Sequence, residues 1–219
     1  MIKNIIFDFD GVLVDSEILV ARSFSKYLSK MGIKFTEEEF SFYAGKKTIQ
    51  VIDDLSIKFN IKNKQSFFDD IMNIANNIYN DELKSVKGAK EFLVENHFNY
   101  FIGSNSLKKR ILIGLKKVNF DKYIKKDKVF SFDMVDRPKP YPDIYLKVIN
   151  EYKLNKDETI IIEDSSVGVQ SAHAAGIKVL GLTAGQHWYS GRSNQELLDS
   201  GAYTSVNSYD KILSEIKKL

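Results

Sequence analysis

The chain has 219 residues, 43% hydrophobic and 28% charged, with a net charge of +3, a balance expected of a globular protein with one large α/β domain or a core carrying a smaller insert. It holds no cysteine, which excludes a disulfide framework, a thiolate metal centre and a cysteine nucleophile. Its lysines are dispersed among acidic residues and no apolar run is long enough to span a bilayer, so neither nucleic acid nor a membrane is expected as a partner, and a cytoplasmic monomer or weak dimer is.

Ile5-Ile6-Phe7 reads as a short strand covered on both faces, and it breaks abruptly into Asp8-Phe9-Asp10-Gly11-Val12-Leu13-Val14-Asp15-Ser16. Ionised carboxylates at the end of a buried strand are costly to desolvate unless paired or metal-bound. Asp8 would end the strand and Asp10 would sit on the turn that Gly11 permits. There, one carboxylate can attack while the other handles a proton. Asp-Gly by itself marks ordinary surface turns, so a catalytic assignment requires partner residues further along the chain.

Residues 18–31 carry Leu19, Phe24, Tyr27, Leu28 and Met31 at helical spacing and stop at Gly32. Thr36 and Glu39 form a capping-box pattern that opens a helix to about Tyr43. Further helices are predicted over 48–59 and 65–79, making 16–85 an all-helical stretch. Alternation then resumes. A helix over 88–96 leads to a strand over 99–102 that runs into Gly103-Ser104-Asn105-Ser106, and a helix over 107–118 precedes a strand over 128–132. All three prolines fall in Arg137-Pro138-Lys139-Pro140-Tyr141-Pro142, a rigid non-helical loop before a helix over 143–152. A strand over 159–162 ends in Glu163-Asp164-Ser165-Ser166, a helix closes at Gly176, and a last strand covers 178–182.

Strands alternating with helices predict a doubly wound, Rossmann-like parallel sheet, made of residues 1–15 and 86–219 and interrupted by a helical insert over 16–85. The carboxyl ends of such strands lie along one edge, where ligands bind. Asp8, Asp10, Ser104, Lys139, Glu163 and Asp164 therefore converge. Four carboxylates at one edge favour a bound cation, and their hard oxygen ligands favour Mg²⁺. There is no Gly-x-x-x-x-Gly-Lys loop and no Gly-x-Gly-x-x-Gly motif for a nucleotide cofactor. His97 and His173 are read as helix residues, and His187, within Gly185-Gln186-His187-Trp188, as a structural residue reaching at most the site edge.

In order and spacing, the Asp8–Ser16 string, Gly103-Ser104-Asn105, Lys139 in Arg-Pro-Lys-Pro, and Ile162-Glu163-Asp164-Ser165 resemble the four motifs of the haloacid dehalogenase superfamily, across essentially the whole chain. That resemblance implies a Mg²⁺-dependent phosphatase of the β-phosphoglucomutase and sugar-phosphatase branch, acting on a small phosphorylated metabolite, a sugar phosphate or sugar-acid phosphate. It implies Asp8 as nucleophile through an aspartyl-phosphate, Asp10 as acid and base, and Ser104, Asn105 and Lys139 as phosphate ligands. The metal would be held by the Asp8 and Asp164 carboxylates and the Asp10 carbonyl, with Glu163 alongside or through water. The insert would be a specificity cap. Tyr43-Ala44-Gly45-Lys46-Lys47 followed by Ile52-Asp53 resembles the cap of bacterial 6-phosphogluconate phosphatases, implying Gly45, Lys46 and Lys47 as substrate contacts. A phosphosugar isomerase is the rival reading, but Val20 and Thr48 stand where β-phosphoglucomutases carry a histidine and an arginine. A non-catalytic binding protein on the same fold is a further alternative, and no missing motif supports it.

Overall fold

The computed structural model describes residues 1–43, 48–189 and 191–219. Contacts divide the chain into two compact units, Met1–Asp15 with Lys84–Leu219 and Ser16–Leu83.

In the larger unit β1 (Asn4–Phe7) is followed, after the insert, by α5 (Ala89–Glu95), β2 (Asn99–Ser104), α6 (Lys108–Lys117), β3 (Val129–Ser131), α7 (Asp143–Tyr152), β4 (Thr159–Glu163), α8 (Ser166–Ala174), β5 (Lys178–Leu182), α9 (Gln195–Asp199), β6 (Thr204–Val206) and α10 (Tyr209–Ile216). The strands form one parallel sheet in the order β3-β2-β1-β4-β5-β6. The chain runs outward from β1 to β3 and then crosses to β4, so the strand order reverses at β1 and β4, where an open α/β sheet leaves a crevice at its carboxyl edge. Register ties Phe7 to Ile102 on one side and Ile162 on the other. The three central strands therefore end close together, β1 at Phe7, β4 at Glu163 just beyond that level and β2 at Ser104 slightly further. Ile5, Ile6, Phe7, Ile102, Ile160, Ile161 and Ile162 have no exposed surface, the uninterrupted apolar character of strands covered on both faces.

The smaller unit holds α1 (Glu17–Lys30), α2 (Glu37–Ser41), α3 (Thr48–Lys58) and α4 (Lys64–Glu82). It has a core of its own, built from Phe24, Leu28, Phe35, Val51, Ile52, Leu55, Phe67 and Ile71. Tyr27 stacks on Phe67 with ring centroids 4.8 Å apart. The capping box is present: Thr36 Oγ1 accepts from Glu39 N–H at 3.1 Å, and Glu39 Oε2 accepts from Thr36 N–H at 2.7 Å. On the core side, the chain segments that leave for this unit and return from it are bonded together. Asp15 N–H donates to Lys84 O at 2.9 Å, Val86 N–H to Leu13 O at 3.1 Å, and Val14 bridges antiparallel to Ser85.

Two features depart from the sequence-based expectation. His97 is not helical, because α5 ends at Glu95 and the chain is already extended at Asn96 before entering β2. The sheet also continues past β5 into β6, a three-residue strand of Thr204, Ser205 and Val206 in which only Val206 is buried. So short and polar an edge strand carries little apolar signal.

Candidate active site

Asp8 continues the line of β1, its N–H donating to Ile162 O at 2.9 Å, so its carboxylate is delivered at the strand's carboxyl end. Phe9 to Val14 then form a tight turn closed by Leu13 N–H to Phe9 O at 3.0 Å and Gly11 N–H to Val14 O at 2.8 Å. Gly11 has φ +76°, and a Cβ there would overlap Asp164 Oδ2. No other residue satisfies both the backbone and that approach.

Lys139 reaches the centre from the proline-rich loop. Its Nζ is 2.9 Å from Asp8 Oδ1 and 2.5 Å from Glu163 Oε1, with its side chain only 4% exposed. Glu163, the last residue of β4, is fully buried. Its Oε1 also accepts from Tyr145 OH at 2.6 Å, and its Oε2 from Asp164 N–H and Ser165 Oγ at 3.2 Å each. Both oxygens are thus engaged. Glu163 neutralises and steers Lys139 while its carboxylate stays in the acidic cluster with Asp8 and Asp164.

Oxygens of Asp8, Glu163 and Asp164 lie within 4.8 Å of one another. Burial, opposed by Lys139 and reinforced by Glu163 and Asp10, raises the Asp8 carboxyl from 3.8 to about 7. Asp164 is raised well above the usual carboxylate range by burial and by Asp8. Lys139 is held above its ordinary value because, although burial lowers it, Asp8 and Glu163 outweigh that effect. Two buried carboxylates that resist ionising beside each other form a donor set suited to a hard divalent cation. Among the described residues, the Asp8 and Asp164 carboxylates belong to the one acidic cluster whose oxygens are close enough to share such a cation.

Ser104 ends β2, is 2% exposed, and its Oγ accepts from Ser106 N–H at 3.1 Å. Asn105, expected as a phosphate ligand, is tied to the loop of Lys139. Its side chain exchanges two hydrogen bonds with the Lys139 backbone, Lys139 N–H to Oδ1 at 3.0 Å and Nδ2 to Lys139 O at 3.3 Å, so it fixes the loop that carries the lysine. Gly45, Lys46 and Lys47 lie outside the described residues.

Three sets of contacts are not signalled by the sequence. Asp10 accepts from Arg110 Nη2 at 3.0 Å through Oδ1 and from Ser106 Oγ through Oδ2. His187 Nε2 lies 2.9 Å from Asp164 Oδ2, so that histidine, expected to reach the site edge at most, contacts a residue of the acidic cluster. It is brought there by Asp15, whose Oδ1 accepts from Gln186 N–H at 2.9 Å. Tyr145, through Glu163, is the third. The available hints are the lysine- and arginine-rich start of α6 and the loop position of His187 after β5, neither specific enough to place a contact.

A model of the haloacid dehalogenase-like hydrolases matches residues 5–182. The chain is 27% identical to a 6-phosphogluconate phosphatase of Escherichia coli over 85% of each sequence. It is 26% identical to a phosphorylated carbohydrates phosphatase of Thermotoga maritima over 99% of each. Among solved structures, a conserved haloacid dehalogenase-like protein of unknown function from Agrobacterium tumefaciens superposes with a TM-score of 0.89 at 30% identity, covering 100% of this chain and 99% of the other.

Proposed function

The chain belongs to the haloacid dehalogenase-like hydrolases, and from that premise we propose that it is a phosphatase hydrolysing a small phosphorylated metabolite of the sugar-phosphate or sugar-acid-phosphate class. The observation that carries this reading is Asp8: a buried carboxylate at the end of a central strand, 2.9 Å from a buried lysine and beside a second buried carboxylate, Asp164. A bound Mg²⁺ would supply charge neutralisation for the phosphate, held by Asp8, Asp164 and the Asp10 carbonyl. Lys139 takes up negative charge from both the phosphate and Asp8, which lets the carboxylate approach phosphorus. Ser104, through its hydroxyl, orients a phosphate oxygen. Asp10 gives a proton to the leaving alcohol and accepts one from the water that cleaves the aspartyl-phosphate.

The insert over 16–83 serves as a specificity cap, with Lys47 as the contact to the distal part of the substrate. Hydrolysis is favoured over isomerisation by Val20, which packs into the apolar cluster of the insert at the position where the mutase resemblance calls for a histidine.

The test is phosphate release from a panel of phosphorylated metabolites. Activity should vanish in EDTA and return with Mg²⁺. Asp8→Asn, which preserves size, should abolish turnover with unchanged circular dichroism. Turnover by that variant near the wild-type rate would overturn the mechanism. Stoichiometric conversion of β-glucose 1-phosphate to glucose 6-phosphate, followed by NMR, would move the chain to the isomerases.

A further inference from the structure

Asp10 is asked to do two opposite things, yet in this structure both its oxygens receive hydrogen bonds. Ser106, just before α6, donates to Oδ2, and Arg110, in the first turn of α6, donates to Oδ1 at 3.0 Å. The bland explanation is an ion pair that stabilises the fold. The arginine side chain is 36% exposed and the aspartate 15%, and pairs so near solvent contribute little. The first turn of α6 moreover contains Lys108, Lys109 and Arg110 and no acidic residue, an arrangement the helix dipole disfavours. Stability therefore does not account for an arginine here.

Resting on the phosphatase reading, we propose that Arg110 and Ser106 are positioning residues that hold Asp10 as the base of the second half-reaction. In that step a water oxygen bonds to phosphorus, the bond from phosphorus to the Asp8 oxygen breaks with its electron pair returning to the carboxylate, and the proton of the water goes to Asp10. A base must offer its lone pair along a fixed line to the attacking water. With one oxygen fixed by a hydroxyl and the other by a guanidinium, the plane of the Asp10 carboxylate is set before the water arrives. Cleavage of the first bond makes no such demand when the leaving group departs without a proton.

p-Nitrophenyl phosphate has such a leaving group and separates the two steps. In Mg²⁺, Arg110→Met and Ser106→Ala should each release a first equivalent of nitrophenolate at close to the wild-type rate and then turn over at least tenfold more slowly. Phosphoenzyme should accumulate on rapid acid quench, and Arg110→Lys should recover part of the steady-state rate. Equal slowing of both phases in both variants, or no slowing in either, would overturn the proposal. Failure of Asp10→Asn to trap any phosphoenzyme would instead overturn the phosphatase reading beneath it.

Discussion

Lys139 is the residue on which the buried charges balance, since its ammonium group faces Asp8 and Glu163 together. Removing one partner of a buried pair leaves the other uncompensated, and here it would leave two carboxylates. Lys139→Met should therefore cost about 3–5 kcal/mol of unfolding free energy in urea. A loss below about 1 kcal/mol would mean that water reaches both carboxylates. His187 acts more locally. As the partner of a proposed metal ligand, it fixes which way Asp164 faces, and losing such a partner typically lowers metal affinity by about 10–100-fold. His187→Ala should raise the Mg²⁺ concentration needed for half-maximal activity by that order while sparing the rate at saturating Mg²⁺. An unchanged Mg²⁺ dependence would return His187 to a packing role.

Among the elements, α8 shows how helix and site are tied. Gly168, in its first turns, stands where a Cβ would overlap the Glu163 carboxyl carbon. Gly168→Ala would gain about 1 kcal/mol of helix propensity, but it drives a methyl group into a carboxylate already engaged by Lys139, Tyr145, Asp164 and Ser165. The overlap should win. A net loss of about 1–3 kcal/mol is expected, together with a fall in kcat as Glu163 drags Lys139 aside. A stabilised, fully active variant would show that Glu163 is free to move. The same comparison of local and distant forces explains what could be read from the chain. The strands β1, β2, β4 and β5, the capping box at Thr36 and the positions of Asp8, Ser104, Lys139 and Asp164 were legible, because each is set by neighbours in sequence or by the rule that strand ends share an edge. The contacts of Arg110, Tyr145 and His187 were not, since each depends on side chains about 18–100 residues apart meeting in space, where local pattern is silent. Asn105 lay on the expected motif, but its partner, the Lys139 backbone, did not show in the pattern.

For the molecule as a whole, the buried carboxylates link stability to pH and to metal. Asp8, raised from 3.8 to about 7 by burial and its acidic neighbours, binds a proton more tightly folded than unfolded. The metal-free protein should accordingly lose stability as pH rises between those values, with Asp164 acting in the same direction. A cation replaces the proton, so Mg²⁺ should raise Tm more at pH 8 than at pH 5. An equal or larger shift at pH 5 would contradict that linkage. The bonds that join Asp15 to Lys84 and Leu13 to Val86 across the two crossings bear on the history of such a chain. With the exit and re-entry points already clasped by the core, the cost of closing a flexible loop between them grows only slowly with its length, so that length can change by large steps. Insertions of many sizes, or none, can then be exchanged at this seam without redesigning the sheet. A chain in which a short Gly-Ser bridge replaces residues 16–83 should still fold, by circular dichroism and cooperative urea unfolding, and should lose substrate discrimination before it loses the α/β fold. Failure of that deletion to fold would mean that lineages could not have swapped modules here so freely.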